Sequence, residues 1–124
     1  MLARPYVDTD YPEIVNWHMA WEKPTPPQHL LPKNGFIIPE VCAGFLYLTD
    51  SSLGIIDIYI CNPKVPKYER NKYLNILTTE ILTLAKQLGC KSLLATSNID
   101  AIKKRSEFHG FKYMCETSVY AKEI

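Results

Sequence analysis

The sequence predicts a single α/β domain built on a mixed, mostly antiparallel sheet. Three apolar, strand-like segments follow one another with short turns between them, which indicates an antiparallel meander. The third is followed by a long amphipathic helix and a further apolar strand, an order that makes the strands on either side of the helix parallel. With 124 residues, of which 47% are hydrophobic and 22% charged, the chain is long enough to bury one core.

A short strand, Ala3–Val7, and a capped helix are predicted at the beginning of the chain. Asp10 is a suitable N-cap and Glu13 stands three residues later, which together form a capping signal. The helix is expected to run to about Lys23, because the prolines in the following segment to Pro32 cannot continue it. Its buried face is predicted to hold Ile14, Trp17 or His18, and Trp21.

The meander consists of three predicted strands whose limits follow from the residues between them. Turns at Pro39-Glu40 and Thr49–Leu53 supply the proline and small polar residues that end strands. The predicted strands are Gly35–Ile38, Val41–Leu48 and Gly54–Cys61.

A basic segment without glycine, Lys64–Lys72, joins the third strand of the meander to the long helix, Tyr73–Gly89. Unpaired backbone N–H groups and the helix dipole face outward at a helix N-terminus, so lysines and an arginine there suggest a phosphate-bearing ligand. The alternative is a solvated helix start whose charges only keep the surface wet. The apolar stripe that is predicted to face the core consists of Leu74, Leu77, Ile81, Leu84 and Leu88.

The last third of the chain is predicted to contain a strand, a helix and a final strand region. Lys91–Thr96 is the apolar strand expected to lie parallel to its predecessor, and Ser97–Asp100 opens a helix that runs to about Phe108. The final strand region covers Phe111–Lys122, with a hairpin bend near Glu116-Thr117.

Composition and charge exclude several classes of partner. A net charge of +1 gives no basic footprint, so a nucleic-acid partner is not expected. The four cysteines have neither CxxC nor metal-ligand spacing and are read as reduced thiols, so no metal is expected. The N-terminus has no apolar signal-peptide core and no apolar run reaches the roughly 20 residues of a membrane helix, so we expect a cytoplasmic protein without a membrane partner.

Three local motifs, combined with the order of elements, carry a resemblance that covers nearly the whole chain. The motifs are Ala43-Gly44-Phe45-Leu46 in the second meander strand, Asn62-Pro63 after the third, and Asn98 through Ala101 to Gly110-Phe111. In this combination the chain resembles the GNAT superfamily of acyl-CoA-dependent N-acyltransferases. It also resembles short GNAT-like proteins that tailed bacteriophages encode, for which the compartment would be the cytoplasm of the host.

The resemblance implies a sheet that is splayed between Gly54–Cys61 and Lys91–Thr96, with helices on both faces and acyl-CoA, most simply acetyl-CoA, in the splay. Its pantetheine would pair with backbone groups of the earlier strand, and its phosphates would meet the basic segment. The cofactor-binding residues implied in this way are Ile60, Cys61, Asn62, Lys64, Lys67, Arg70, Asn71, Lys72 and Asn98. For Asn98, a role as a helix cap is the alternative.

The basic segment departs from the family pattern Q/R-x-x-G-x-G/A. Depending on register, its glycine positions hold Glu69 and Asn71, or Arg70 and Lys72. Side chains at these positions crowd a pyrophosphate. Charge-assisted bonds from the basic side chains, at about 1.5–3 kcal/mol each, are the expected compensation.

Catalytic residues are also implied by the resemblance. Asp57 is the only carboxylate on the third meander strand and therefore the candidate general base, although a structural role for it is the alternative. Ser106 stands where the family often has its general-acid tyrosine, and Tyr113, Tyr120 or Tyr68 could substitute for it.

The acceptor is expected to be an amine, on a small molecule or a protein. Trp21, Gln28 and His29 lie in or beside the proline-rich segment that occupies the family's acceptor-binding position. The competing hypothesis is a non-catalytic GNAT-like protein that binds a macromolecular partner. A third is a divergent catalyst with another phosphate-bearing donor or a nucleic-acid acceptor. A monomer or a homodimer is expected.

Overall fold

The computed structural model describes the backbone of residues 2–96 and 100–124 and the side chains of residues 2–96 and 102–124. Five strands form one sheet in the order β1-β2-β3-β4-β5, with antiparallel pairs throughout except for the parallel pair β4–β5. The predicted mixed, mostly antiparallel sheet is therefore confirmed. The elements are β1 Arg4–Pro5, α1 Tyr11–Ala20, β2 Gly35–Ile38, β3 Cys42–Leu48, β4 Leu53–Cys61, α2 Lys67–Gln87, β5 Ser92–Ala95 and α3 Asp100–Phe108, with short 3₁₀ turns at Asp8–Asp10 and Gln28–Leu30.

The helix α1 covers one face of the sheet and buries Ile14, Trp17 and His18. Its entry is fixed by Asp10, whose carboxylate accepts the Val7 N–H at 2.9 Å and pairs with Arg4 at 2.6 Å. The prediction that Trp21 also joins this core is wrong. The helix ends at Ala20, so the Trp21 side chain leaves the buried stripe and remains 38% exposed.

The helix α2 covers the opposite face and begins at Lys67, six residues earlier than predicted. Pro66 is its N-cap, and Arg70 N–H donates to Pro66 C=O at 2.9 Å, so most of the supposed basic loop is helix. The buried face of α2 is rotated slightly from the predicted one. With 3.6 residues per turn, Thr78 and Ala85 face the core, whereas Leu84 and Leu88 are not among the buried residues. The buried residues are Leu74, Leu77, Thr78, Ile81 and Ala85.

A β-bulge interrupts β4 in the middle of the sheet. Phe45 lies opposite Asp57, and Ala43 lies opposite Ile60. The two positions are two residues apart on β3 but three residues apart on β4, so β4 contains one extra residue. The extra residue is accommodated at Ile58, whose φ of 57° is a left-handed value that β-branched residues rarely adopt. The alternation of faces shifts here, because Ile56 before the bulge and Tyr59 after it both pack on the α2 side.

The predicted final strand over Phe111–Lys122 is wrong, since residues 111–124 form no helix or strand. Phe111 packs against the α2-side core, but the residues after it are exposed. The apolar residues that follow do not alternate cleanly: Met114-Cys115 and Val119-Tyr120 are adjacent pairs, so no single face of a strand would be apolar. None of the helices in the described residues is long and apolar enough to cross a membrane.

Gly44 provides a test of the bulge, because the Tyr59 ring lies where a side chain at position 44 would be. A Cβ on Gly44 would lie 2.2 Å from Tyr59 Cε1 and 2.3 Å from its Cδ1. We expect Gly44→Ala to lower the free energy of unfolding in urea by about 1–3 kcal/mol through overpacking. In a Tyr59→Leu background, where the ring is absent, the same substitution should cost clearly less; an equal cost in both backgrounds would contradict this packing.

Candidate functional site

The carboxyl end of β4 presents an open backbone edge. Pairing with β5 extends from Leu53–Ser92 to Ile56–Ala95, and β4 then continues to Cys61 beside β3 alone. Cys61 lies opposite Cys42, and Asn62 N–H donates to Val41 C=O at 2.8 Å, which marks the cysteines as a non-hydrogen-bonded pair. The N–H and C=O of Cys61 therefore point away from β3. We call the side of residues 57–61 that faces away from β3 the open edge.

The three backbone positions predicted to pair with pantetheine are not equivalent. Cys61 presents both backbone groups to the open edge, whereas Ile60, one residue earlier in the alternating ladder, directs its groups towards β3. Asn62 uses its N–H on β3, and its side chain links Glu40 C=O at 3.0 Å to Lys64 N–H at 3.0 Å. Asn62 is thus an Asx-type turn residue between strand and helix.

Trp21 covers the open edge. Its indole N–H donates to Cys61 C=O at 2.7 Å, and the Arg70 guanidinium lies 5.5 Å from the centre of the Trp21 ring. Arg70 is itself held by a 2.6 Å hydrogen bond to Val65 C=O. The Trp21 indole, at the end of α1, therefore occupies the outward-facing carbonyl of Cys61, and the Arg70 guanidinium from α2 stacks on the indole ring.

Strained backbone is concentrated around this end of β4. Within the described residues, three non-glycine residues have positive φ values: Glu22 at 55°, Glu40 at 67° and Ile58 at 57°. Glu22 follows Trp21, the Glu40 carbonyl accepts the Asn62 side chain, and Ile58 forms the bulge. Such conformations cost about 1–3 kcal/mol each and accumulate at binding and catalytic sites.

A cleft of about 720 Å³ lies between the first turns of α2 and the helix α3. Cations on both helices line it, namely Lys67, Arg70, Lys104 and Arg105, and none of the described residues that line it is acidic. We call it the cationic cleft. The sequence does not predict that Lys104 and Arg105 belong to this site. Nothing in their spacing on a polar helix indicates a binding role, because only the packing of α3 on α2 brings them to the cationic cleft.

Arg105 is a half-buried cation of the cleft. Its Nη2 donates to Asn71 Oδ1 at 2.6 Å, and its Nε is buried without a hydrogen-bond partner. Burial lowers the pKa of the guanidinium, which the neighbouring Cys61 and Tyr59 only partly offset. Arg105 therefore lies close to the end of β4 as well as to α2.

The other predicted residues of the basic segment are placed differently. Lys64 and Lys67 are exposed at the start of α2, and Lys72 lies 5.6 Å from the Tyr73 ring rather than in the cationic cleft. The first N–H groups of α2 have no acceptor within the helix, but Glu69 places a carboxylate in the same first turn. Asn98 lies outside the described residues.

Asp57 is exposed, although it lies on an apolar strand. The bulge leaves it beside Ile58, whose N–H donates to Asp57 Oδ1 at 2.7 Å. Asp57 lies opposite Phe45 and so on the α1 face of the sheet, where it contributes, after burial, to raising the pKa of Tyr47.

Ser106 lies on α3, on the other side of the sheet. Its hydroxyl donates to Ile102 C=O at 2.9 Å, and it lines a second cavity of about 1010 Å³ between α2, β5 and the C-terminal segment. The structure therefore does not bring the two predicted catalytic residues, Asp57 and Ser106, together. Of the alternative acids, Tyr68 lines the cationic cleft, while Tyr113 and Tyr120 are exposed in the C-terminal segment.

The predicted acceptor-binding residues Gln28 and His29 are exposed on a 3₁₀ turn. This turn is attached to the sheet by Tyr47, whose hydroxyl donates to Leu30 C=O at 2.9 Å. Because Tyr47 lies opposite Ile55, the turn sits near the first half of β4 and on the face that carries Asp57, away from Trp21 at Cys61.

The cysteines of the site are protonated at neutral pH. Burial raises the pKa of Cys42 to about 12 and that of Cys61 to about 11. Neither is an activated nucleophile, since the thiolate is the reactive form. Among the described side chains, no group of three His, Cys, Asp or Glu residues is placed to hold a metal ion.

Comparison with known proteins identifies the fold. No protein-family model and no curated protein matches the chain. Several solved structures do match. One is Rv2747 from Mycobacterium tuberculosis in complex with CoA, with 18% sequence identity and a TM-score of 0.70; the match covers 98% of this chain and 77% of the Rv2747 chain. A putative acetyltransferase from Agrobacterium tumefaciens, at 11% identity, gives a TM-score of 0.70 over 99% of this chain and 100% of its own. The chain has the GNAT fold.

An aminoglycoside 6′-N-acetyltransferase from Acinetobacter haemolyticus has the same GNAT fold. It matches 100% of this chain and 99% of its own at 14% identity, with a TM-score of 0.62. Within this GNAT fold, the sites described above are properties of the present chain: the open edge with Trp21 on it, the cationic cleft, and the exposed Asp57.

Fluorescence can test the contact between Trp21 and the open edge, because the chain has only two tryptophans. Trp17 is 4% exposed and Trp21 is 38% exposed. We expect Trp21→Phe to leave a blue-shifted emission from Trp17 and to cost about 1 kcal/mol of unfolding free energy, since Cys61 C=O loses its donor. The matched variant Trp17→Phe should leave red-shifted emission that acrylamide quenches. Red-shifted emission from Trp21→Phe would contradict the placement.

Proposed function

We propose that this chain transfers an acyl group from acyl-CoA to an amine. The observation that carries the proposal is the open edge of β4 beside the cationic cleft. An extended ligand with amide groups and phosphates needs backbone hydrogen-bonding groups along one part and positive charge along another, and these features stand next to each other here. The complex of Rv2747, a protein of the same fold, with CoA supports the choice of donor.

The residues present fit acyl-CoA as the donor. Cys61 offers a backbone N–H and C=O on the open edge, and Lys67, Lys104 and Arg105 offer charge in the cleft. Trp21 occupies the Cys61 carbonyl, so its indole must move before an amide of the donor can use that acceptor. The exchange replaces one N–H donor by another, so it costs little hydrogen-bond energy.

The acceptor amine approaches from the α1 face in this proposal. Asp57 is exposed there, and the turn with Gln28 and His29 lies on the same face. Asp57 accepts a proton from the ammonium group, directly or through one water, which frees the lone pair for attack on the thioester carbonyl. A C–N bond forms and the C–S bond breaks, and in this proposal the Cys61 N–H stabilises the developing negative charge on oxygen. The sulfur leaves as a thiolate, and the attacking nitrogen, which is positively charged after it has added to the carbonyl, releases its extra proton to solvent to give the neutral amide.

A second candidate function is a non-catalytic GNAT-like protein that binds a macromolecular partner. It is favoured by one observation: the Ser106 hydroxyl is bonded within its own helix and lies on the face of the sheet opposite Asp57. This alternative predicts binding of CoA without turnover, whereas the first predicts release of free CoA thiol.

Substitution of Asp57 separates the two functions. With acetyl-CoA and a panel of primary amines, we expect Asp57→Asn to lower the rate of thiol release by about 10²–10⁴-fold, the usual contribution of a general base. Its thermal stabilisation by acetyl-CoA should match that of the wild type, which reaches about 2.7 kcal/mol when the ligand is at 100 times its dissociation constant.

Asp50→Asn is the matched control, since Asp50 is an exposed aspartate in the turn before β4. It should retain the wild-type rate. Full activity of Asp57→Asn would remove Asp57 from the mechanism. Binding of acetyl-CoA by the wild type without thiol release for any amine would favour the non-catalytic function, and absence of binding would overturn the proposal.

A further inference from the structure

We propose that Arg105 is an anion-binding residue of the cationic cleft, and that Asn71 is its partner only while the cleft holds no ligand. The ligand class is a polyanion such as a diphosphate or phosphate diester. The identification of that polyanion with the phosphates of CoA rests on the proposed function, whereas the role of Arg105 rests on the cleft itself.

The first argument is the incomplete pairing of Arg105. Within the described residues, its guanidinium makes one hydrogen bond, from Nη2 to the neutral amide oxygen Oδ1 of Asn71 at 2.6 Å. The Nε group is buried without a partner. A guanidinium has five N–H donors in a planar fork that matches phosphate and carboxylate oxygens, so a cation in this state has most of its binding capacity unused.

The second argument is the charge around Arg105. Lys67 and Lys104 line the same cleft, and no described lining residue carries a negative charge. Like charges gathered around a half-buried cation destabilise the ligand-free protein, because desolvation is not repaid by a counter-charge. An anion in the cleft relieves this cost for several cations at once, which favours a ligand with more than one negative charge.

The third argument is that the other arginine of the cleft is already engaged. Arg70 donates to Val65 C=O at 2.6 Å and stacks on Trp21 at 5.5 Å. The Arg105 guanidinium donates to Asn71, which lies on a different helix, and a phosphate oxygen can replace this amide acceptor without disturbing the strand–helix turn. Arg105 is therefore the guanidinium that a ligand can recruit.

The consequence is a site shared by two helices. Asn71 and Lys67 belong to α2, and Lys104 and Arg105 belong to α3. A polyanion bound between them ties the α3 helix to α2 by charge, in addition to the contact between His109 and Asn75 at 3.2 Å. The usual glycine-rich turn is then unnecessary, because side chains from a second helix approach the ligand in place of close backbone N–H groups.

The test compares Arg105→Gln with Lys103→Gln, which removes the same charge from the opposite side of α3. Binding of CoA and of inorganic pyrophosphate is measured by calorimetry for both variants and the wild type. We expect Arg105→Gln to weaken both ligands by about 10- to 100-fold, the value of one lost charge-assisted hydrogen bond. Lys103→Gln should change them by no more than about twofold, as expected for a distant exposed charge.

The ligand-free proteins give a second readout. If Arg105 is an incompletely paired cation, Arg105→Gln should melt at the same temperature as the wild type or higher, whereas a purely structural Arg105 would make this variant less stable. Arg105→Lys keeps the charge without the fork and should bind with intermediate affinity. Wild-type affinity in Arg105→Gln, or a lowered melting temperature together with unchanged ligand affinity, would overturn the inference.

The two ligands separate this inference from the proposed function. Binding of pyrophosphate that depends on Arg105, without any binding of CoA, would retain the anion site and reject the acyl-CoA donor. Binding of CoA by the wild type that is insensitive to Arg105→Gln would retain the donor and reject this role of Arg105. Failure of pyrophosphate to bind the wild type would reject the anion site.

Discussion

The arrangement of this molecule depends on one constraint, which is that β4 has two different environments along its length. Up to Ile56 it is a central strand, paired with β3 on one side and β5 on the other. Beyond Ile56 it keeps β3 alone, and the bulge at Ile58 shifts its alternation at the same place. The strand must leave β5 without losing the core on either face. The bulge achieves this by keeping Tyr59 over Gly44 on the α2 side and Ile60 in the α1-side core.

This constraint separates the site into two halves. The bulge exposes Asp57 on the α1 face, while the cationic cleft receives its side chains from α2 and α3. In the proposed function, a donor and an acceptor therefore approach the same strand from different sides without competing for the same groups. Trp21 links the two halves, since it comes from the end of α1 and contacts both Cys61 and Arg70.

The sequence predicts the sheet well because its strands are short, apolar and separated by turn residues with clear chemistry. It predicts the start of α2 poorly because the basic residues from Lys67 onward are ordinary helix formers that also occur in loops, and the helix begins directly after its N-cap Pro66. The bulge at Ile58 has no local signal, since an isoleucine is among the least expected residues at a positive φ. Arg105 could not be found for a different reason: its proposed role depends on the packing of two helices, which brings it to Asn71, 34 residues away in sequence.

In the proposed mechanism, a general acid and a general base are not equally necessary. A thiol has a pKa near 8.5, so a thiolate can leave at neutral pH without receiving a proton in the same step. A primary amine resembling lysine has a pKa near 10.4 and is almost entirely protonated at neutral pH, so it cannot attack until a base has removed a proton. Acyl transfer from a thioester to such an amine therefore needs the base more than the acid. In the proposed mechanism the exposed carboxylate of Asp57 at the bulge is the base that the reaction requires, and Ser106 stands at the position of the acid whose proton the reaction needs least.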